Sequence, residues 1–384
     1  MNLSFRKTLG ALALCALAPL DAPAQPGAPA SALPTPVITG PLQGAPPNSL
    51  ELLSDLYGNG VVTGAALWQG TPQPGDHTTR AALSNGQVYV QKTTGFWQFY
   101  VQAGAYTIPA LGTPSLSTGK TTSDLWGPVP QAYLKLAPAQ QTSIQIGALP
   151  SMVGAECIFS FQGMNIQRGL LWNQENSINR GIQINQAAGK FAAALSWNDC
   201  FYSNRYSCLS GSLSYTSGSH SLAFSALGNL SQTAFRTAAT PVQNNGSMYA
   251  VVYTFTQGKW TVQPYAGFTS VPTNPKAGIE KGASTAGAAV LLNRRFKGGF
   301  AMAARWEYID STGSAAERSV NLLYGPGSSA WSVTVTPTYQ YDRFFIRADI
   351  SYVRAEGILP GFAFGAGGNS PNQPRGMLEA GILF

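Results

Sequence analysis

The sequence predicts an all-β protein that folds as a transmembrane antiparallel β-barrel, and three observations lead to this fold class. Charged residues make up only 10% of the chain, against ~25% in ordinary soluble proteins, so a water-soluble surface is hard to build from it. Apolar and polar residues alternate along many short segments, while no stretch beyond the N-terminal region reaches the ~18 continuous apolar residues of a membrane helix. The connections between these segments alternate between short and long, as in outer-membrane barrels.

The N-terminal region is typical of a secretion signal. Arg6 and Lys7 form a basic start, residues 9–20 are an apolar run too short to span a membrane, and Ala22-Pro23-Ala24 supplies the small residues of a cleavage site. We therefore expect residues 1–24 to be a signal peptide and the mature chain to be exported.

Residues 25–57 are predicted to be a Pro/Ala-rich periplasmic leader. The prolines of "QPGAPASALPTPVITGPLQGAPP" lack the backbone N–H that a strand ladder needs. Asn48 or Ser49 can cap a short helix over residues 50–56, and a partly ordered lead-in to the first strand is the alternative.

From residue 58 to residue 384, the predicted barrel, the pattern has a period of two. In "WSVTVTPTYQY" every second residue is Trp, Val, Pro or Tyr, and the residues between them are Ser, Thr or Gln. Because successive strand side chains point to opposite faces, one face of this strand is apolar and the other is polar. The segment "RFFIRADISYV" places Arg347 and Asp349 on its polar face, where a wet lumen accepts charges that a dry core excludes.

The connections predict the number of strands. Seven short turns, such as "QAAGKF" and "QYDRF", alternate with eight longer polar or Gly/Pro-rich loops, and these connections join sixteen strands. Fourteen strands are the alternative, because the segments near 129–137 and 178–187 alternate weakly. An even count places both termini on the periplasmic side, and sixteen strands enclose a lumen wide enough for an aqueous channel.

Several other classes of protein are disfavoured. The formal charge is +7, but the basic residues are scattered rather than clustered with stacking aromatics, so we expect no nucleic-acid partner. The two histidines, His77 and His220, accompany no metal-binding spacing, so we expect no metal and no cofactor. No nucleophile motif is complete, since "GASTAG" has Ala286 in place of the last glycine of Gly-x-Ser-x-Gly, and we expect no enzyme.

Three cysteines follow the signal peptide. Cys200 and Cys208 flank one predicted loop, and an oxidising compartment permits a disulfide between them. The odd count leaves Cys157 unassigned.

The stretch around the third long loop, 150–177, resembles the outer-membrane β-barrel porins of the OmpL-like, or porin-2, group. The residues that carry the resemblance match that group's pattern of a strand-end glycine, Gly-x-Glu, and then Asn and Arg-Gly before a Gly-containing strand; they are Gly147, Leu149, Pro150, Gly154, Glu156, Asn165, Arg168, Gly169 and Gly181. The likeness extends more diffusely over 52–384. Cys157 and the pair Cys200 and Cys208 depart from the pattern.

The resemblance implies a pore-forming protein of a Gram-negative outer membrane, with the third long loop folded into the pore. Glu156 and Arg168 are then candidates for the pore constriction. The alternative is that Glu156 and Arg168 form a structural pair that fixes the loop against the barrel wall, and the sequence does not rank the two.

Six charged residues have inward parity in their strands and are candidates for lining the lumen or for bracing the wall: Lys135, Arg305, Glu307, Arg347, Asp349 and Glu379. We expect a channel for passive diffusion of small hydrophilic solutes or ions with a mild preference for anions. A substrate-specific or apolar-solute transporter and a surface adhesin are the alternatives. Outer-membrane lipid is an expected partner. The sequence leaves open whether the chain forms a homotrimer.

The final segment, "GMLEAGILF", is predicted to be the strand that closes the barrel against residues 59–69. One face carries Leu378, Ala380, Ile382 and Phe384 toward lipid, and the other carries Glu379 and Gly381. This ending resembles the terminal signal that the barrel-assembly machinery recognises.

Overall fold

The computed structural model describes residues 39–44, 48–49, 55–231 and 241–384. The predicted signal peptide, residues 25–38 of the predicted leader and residues 50–54 of the predicted short helix lie outside the described residues. Of that predicted helix the structure describes residues 55 and 56, and Leu56 begins a strand.

Nearly all of the regular structure is β. The strands are β1 Asn48–Ser49, β2 Leu56–Gln69, β3 Thr79–Lys92, β4 Trp97–Tyr106, β5 Gln131–Ala139, β6 Thr142–Pro150, β7 Ile178–Ala188, β8 Phe191–Asn198, β9 Cys208–Ser217, β10 His220–Asn229, β11 Ser247–Gln257, β12 Trp260–Val271, β13 Ala283–Arg295, β14 Phe300–Ser311, β15 Ser329–Tyr341, β16 Phe344–Glu356 and β17 Asn372–Leu383. One α-helix, α1 (Thr118–Asp124), and short 3-10 turns at Ser160–Gln162, Trp172–Gln174, Val242–Asn245 and Pro275–Ala277 complete the described elements. Within the described ranges, none of the helices is long and apolar enough to cross a membrane.

Sixteen strands, β2 to β17, form one closed barrel. Each pairs antiparallel with the next in the chain, and β17 pairs with β2 to close the circle. The predicted fold class and the predicted count of sixteen are confirmed. The two weakly patterned segments are the full strands β5 and β7, which excludes fourteen strands.

The alternation of side chains divides the wall as the period-two pattern predicts. On β14, Arg305 and Glu307 face inward and are 1% and 0% exposed, whereas Trp306 between them faces outward and is 52% exposed. Outward aromatics also stand at strand ends, as at Trp97 and Phe300. An apolar belt with aromatic residues near its edges is what a lipid-facing wall requires.

The two ends of the barrel differ in their connections. Seven short turns lie at one end and eight longer loops at the other. Several short turns place a glycine at positive φ, as at Gly189 (58°) and Gly258 (59°), a conformation that a tight hairpin needs and that glycine adopts without steric cost. Among the longer loops, 199–207 is closed by a disulfide between Cys200 and Cys208, and Cys157 is a buried cysteine outside that disulfide.

The closing strand has the predicted partner and facing. Residues 375–383 of β17 pair with residues 61–69 of β2. Beyond them, the Phe384 N–H donates to the Gly60 carbonyl at 2.9 Å, and the Gly60 N–H donates to the Phe384 carbonyl at 2.5 Å. The Phe384 ring covers Gly60 so closely that a Cβ there would lie 2.5 Å from it. Phe384 therefore seals the seam between the last strand and the first.

Candidate functional site

The connection between β6 and β7, residues 151–177, folds into the barrel and is called here the inward loop. Every residue from 151 to 171 is buried. The loop is rich in large apolar side chains, such as Phe159, Phe161 and Ile166, each fully buried, which would face water if the loop extended outward. Burial of these apolar side chains favours the position of the loop inside the lumen.

Arg305 of β14 is the first anchor of the inward loop. Its guanidinium lies 2.6 Å from the Glu156 carboxylate and donates to the Gln167 carbonyl at 2.8 Å. It also lies 3.3 Å from the Glu307 carboxylate on the same strand. Arg305 therefore contacts two carboxylates, one from the loop and one from the wall.

Glu307 completes this anchor by accepting hydrogen bonds from the loop backbone. The N–H groups of Leu170 and Leu171 donate to it at 2.7 and 3.3 Å. The N–H of Gly169 donates to Glu156 at 2.8 Å, and a Cβ on Gly169 would lie 2.4 Å from Glu307 and 2.7 Å from Glu156. Only glycine lets the backbone approach both carboxylates, which gives the Arg-Gly pair of the sequence a physical reason.

Arg347 and Glu379 form a second anchor, on β16 and β17. Arg347 donates to the carbonyls of Ser160, Gly163 and Met164 at 2.8, 3.0 and 2.8 Å. Its Nη1 also lies 3.8 Å from Glu379, which accepts a short hydrogen bond from the Ser160 hydroxyl.

Asp349, on β16, binds the backbone of the same loop. It accepts hydrogen bonds from the N–H groups of Ile166 and Gln167 at 3.2 and 2.8 Å, and from the Thr336 hydroxyl at 2.6 Å. Buried charges are tolerated where such hydrogen bonds satisfy them. The wall charges of β14, β16 and β17 thus hold the loop to one side of the barrel.

Arg168 has a different partner set from Glu156. It is fully buried and donates to the carbonyls of Cys157 and Ile166, both at 2.7 Å, within the inward loop. Its backbone N–H donates to Pro109 at 2.8 Å, which joins the inward loop to the preceding long loop. The structure therefore pairs Glu156 with Arg305 and uses Arg168 to hold the loop's own turn.

Two further residues at this site, one buried and one half-buried, were missed by sequence reasoning. Arg375 of β17 donates to the Gln69 side chain at 2.7 Å and to the Ala110 carbonyl at 2.7 Å; its inward parity with Glu379 was the available signal. Glu175 of the inward loop lines a small cavity, and its Oε1 has no hydrogen-bond partner among the described residues. A buried carboxyl without a partner favours its neutral, protonated form. No sequence signal distinguishes Glu175.

Asp76 ties two of the outer long loops together. It accepts hydrogen bonds from the Ser115 N–H at 2.8 Å, the Ser115 hydroxyl at 2.7 Å and the Gln69 side chain at 2.7 Å. Burial raises the pKa of the Asp76 carboxyl, but the hydrogen bonds from Ser115, Gln69 and the His77 backbone together hold that pKa below its usual value.

The inward-facing residues that stay partly accessible lie on the other side of the barrel. On β2, β3 and β14–β17 almost all inward side chains are buried, whereas a polar set on β5–β7 is half-buried. This set, called here the β5–β7 face, comprises Tyr133, Lys135, Ser143, Gln145 and Asn185. Lys135 is its charged member and sits level with Gln98 and Gln145 of the neighbouring strands.

The buried charges near the inward loop balance. Four arginines face four carboxylates in this region: Arg168, Arg305, Arg347 and Arg375, with Glu156, Glu307, Asp349 and Glu379. A balanced set adds little net field at a distance. The inward loop and its anchors can therefore narrow the lumen without setting the sign of the electrostatic potential there. Charges elsewhere in the lumen, such as Lys135, can set that sign.

The chain matches one family model, described as "Putative beta-barrel porin-2, OmpL-like", over residues 55–384. No curated protein is matched by its sequence. Among solved structures it is similar to in-vitro folded OmpT, an outer membrane protein of Vibrio cholerae, with a TM-score of 0.56 and 10% identity over 87% of this chain and 99% of that one.

Two further solved structures are similar. For the outer membrane channel DcaP of Acinetobacter baumannii the TM-score is 0.56, with 11% identity over 86% of this chain and 97% of that one. For a trimer form of the Vibrio cholerae OmpT the TM-score is 0.55, with 11% identity over 86% of this chain and 99% of that one. At such identities the likeness concerns the fold alone.

Proposed function

The chain belongs to this beta-barrel porin-2, OmpL-like family and is a porin-like protein of the bacterial outer membrane, and from that premise we propose that it forms a narrow, water-filled channel. The channel passes small hydrophilic solutes or ions by passive diffusion, with a mild preference for anions. Its short-turn end faces the periplasm, as in other bacterial barrels of this kind.

The observation that carries this proposal is the division of the lumen. The inward loop is held against β14–β17 by Arg305, Arg347 and Asp349, while the β5–β7 face keeps polar, half-buried side chains. A polar face that water reaches beside a fixed loop suits a diffusion path. Charged side chains along a pore set its selectivity, so Lys135 favours anions on this path.

The test of channel formation is conductance in a planar lipid bilayer. We expect purified protein to give sustained ohmic steps, and liposomes that contain it to swell faster in small sugars than in large ones. Resistance to unfolding in cold detergent shows that the protein is folded. If such folded protein gives neither conductance steps nor liposome swelling, the proposed channel is contradicted.

We propose a bracing role for Glu156 and Arg168 rather than a constriction role. The Glu156 side chain is 3% exposed and in contact with Arg305, so it presents little surface to a passing ion. Replacing Glu156→Gln should leave ion selectivity unchanged while the loop becomes less firmly held. A clear shift in selectivity with unchanged thermal stability would favour the constriction role instead.

A substrate-specific transporter is the second candidate, because so much of the interior is occupied. Polar side chains that contact one another line the β5–β7 face, for example Asn185 and Ser143 at 3.2 Å, and could recognise one class of polar solute. Conductance that a particular solute blocks in a saturable way would favour this candidate. A general channel shows no saturation over the same range.

A homotrimer is proposed as the assembled state. A trimer form is known for the structurally similar OmpT, and the outward faces of this barrel offer apolar surface for such contacts. Cross-linking in the native outer membrane, followed by mass determination, tests it; a cross-linked species no larger than the monomer would contradict it.

A further inference from the structure

Six residues that precede the barrel, 39–44, lie against the inside of its short-turn end, and are called here the N-terminal segment. The Gln43 N–H donates to the Gln340 side chain at 2.7 Å, and the Gln340 amide donates back to the Gln43 carbonyl at 2.9 Å. Arg295 donates to the Gly40 carbonyl at 3.2 Å. Gln340 and Arg295 stand at the short-turn ends of β15 and β13, which are not neighbours, so the segment is held from more than one strand of the rim.

The deep end of the N-terminal segment contacts the inward loop. The N–H groups of Thr39 and Gly40 both donate to the Gln162 carbonyl, at 2.9 and 3.0 Å. The Thr39 hydroxyl lies 3.2 Å from the Cys157 sulfur. A Cβ on Gly40 would lie 2.1 Å from the Gly163 carbonyl oxygen, so the two backbones touch. The segment thus reaches from the rim to the loop that narrows the lumen.

Leu42 anchors the middle of the N-terminal segment. It is 1% exposed and belongs to a buried apolar cluster that joins the inward loop to the wall, with Phe159, Phe161, Phe345 and Leu383 among its members. A leader that only tethered the barrel would have no reason to bury a leucine in the lumen. Gln43 and Gly44, which follow, are exposed.

We propose that the N-terminal segment is an internal plug, which narrows the channel at its short-turn end by docking on the inward loop. The plug is joined to the barrel by a few hydrogen bonds and by the buried residues Pro41 and Leu42, so it can leave while the barrel strands stay paired. When the plug undocks, the lumen widens at the short-turn end, and one side of the inward loop loses its contacts with the plug. This inference rests on the proposed channel function.

The chain itself offers a way to lock the plug. The Thr39 hydroxyl contacts the Cys157 sulfur, so the variant Thr39→Cys places a second sulfur where an added oxidant can join the two thiols into a disulfide. The matched control is Thr39→Ser, which keeps a hydroxyl and has no thiol to cross-link. The lock is measured by mass spectrometry of the folded, exported protein, and conductance is recorded before and after dithiothreitol.

We expect the disulfide to form in the folded barrel, and the locked protein to conduct about twofold or more below its reduced form, because an occupied lumen passes fewer ions. The conductance of the Thr39→Ser control should change with neither oxidant nor reductant, which also controls for reduction of the disulfide between Cys200 and Cys208. Failure of the disulfide to form, or equal conductance of the locked and reduced forms, would overturn the plug. If the disulfide forms but the barrel conducts in neither the oxidised nor the reduced form, the proposed channel is refuted, while the docking of the segment is still supported.

A second pair of variants tests the docking without a cross-link. Gly40→Val forces a side chain into the Gly163 carbonyl, whereas Gly44→Ala changes an exposed glycine of the same segment. Cys157 is buried beneath the segment, so its reaction with a small thiol reagent should be roughly tenfold faster in Gly40→Val, as expected when local opening exposes a buried group. Gly44→Ala should react at the wild-type rate. Equal rates in both variants would overturn the plug.

Discussion

Replacing Arg305→Met should release the inward loop, because Arg305 connects a carboxylate of the loop to a carboxylate of the wall. The substitution removes a contact of 2.6 Å to Glu156, one of 2.8 Å to the Gln167 carbonyl and one of 3.3 Å to Glu307. Two carboxylates are then left buried without their cation. Breaking a buried pair in this way costs about 3–5 kcal/mol.

That cost falls mainly on the docking of the loop, since the ladder between β14 and its neighbours does not involve the Arg305 side chain. Because about 1.4 kcal/mol is tenfold in an equilibrium, the open population of the loop should rise by roughly 10² to 10³-fold. Limited proteolysis of folded protein, with cleavage sites mapped to residues 151–177, measures this opening, and single-channel recordings should become noisier.

Arg354→Met provides the matched control. Arg354 is also on a barrel strand and also contacts a carboxylate, Glu356 at 3.2 Å, but both side chains are about half exposed. Exposed ion pairs contribute only ~0–1 kcal/mol, so this variant should resist proteolysis as the wild type does. Equal protease resistance of Arg305→Met and Arg354→Met would refute the claim that the buried anchor holds the loop.

Three further predictions concern selectivity, pH and assembly. Lys135→Glu should shift the reversal potential under a salt gradient toward cations, because it reverses a charge on the β5–β7 face, whereas Lys135→Arg should not; an unchanged potential in Lys135→Glu would remove Lys135 from the path. The pKa of Asp76 is lower in the folded chain than its usual value of ~3.8. Its carboxylate therefore stabilises the docking of loop 107–130 at pH values above ~3.8, and this stabilisation is lost as the pH falls through the lower folded-state pKa. The melting temperatures of wild type and Asp76→Asn should therefore differ at pH 7 and converge as the pH falls through the lowered folded-state pKa of Asp76, and a difference that persists in strong acid would contradict this origin. A charged tag placed after Phe384 should lower the yield of assembled barrel more than it changes conductance, because Phe384 seals the seam on Gly60; an unaltered yield would count against the terminal residue as an assembly signal.

The barrel could be predicted from the sequence because its signals are local. Period-two alternation, hairpin glycines such as Gly189 and the alternation of short and long connections each depend on neighbouring residues. They gave the sixteen strands, the facing of Arg305 and Glu307, and the pairing of the last strand with the first.

The partners at the candidate site could not be predicted, because they are distant in the chain or are backbone groups. Glu156 and Arg305 are separated by 149 residues, and parity alone does not say which strand faces the inward loop. Arg347 contacts carbonyl oxygens, which every residue carries. The docking of Leu42 was hidden for a related reason, since a Pro/Ala-rich leader is typical of flexible segments and one leucine does not alter that composition.

In the narrow channel that we propose, the accessible path runs along the β5–β7 face. The most direct measurement is the reversal potential of the wild-type protein in a planar bilayer under a gradient of potassium chloride. We expect ohmic steps of small conductance and a reversal potential displaced toward that of chloride. Steps with a potential displaced toward that of potassium, or folded protein that yields no steps, would contradict it.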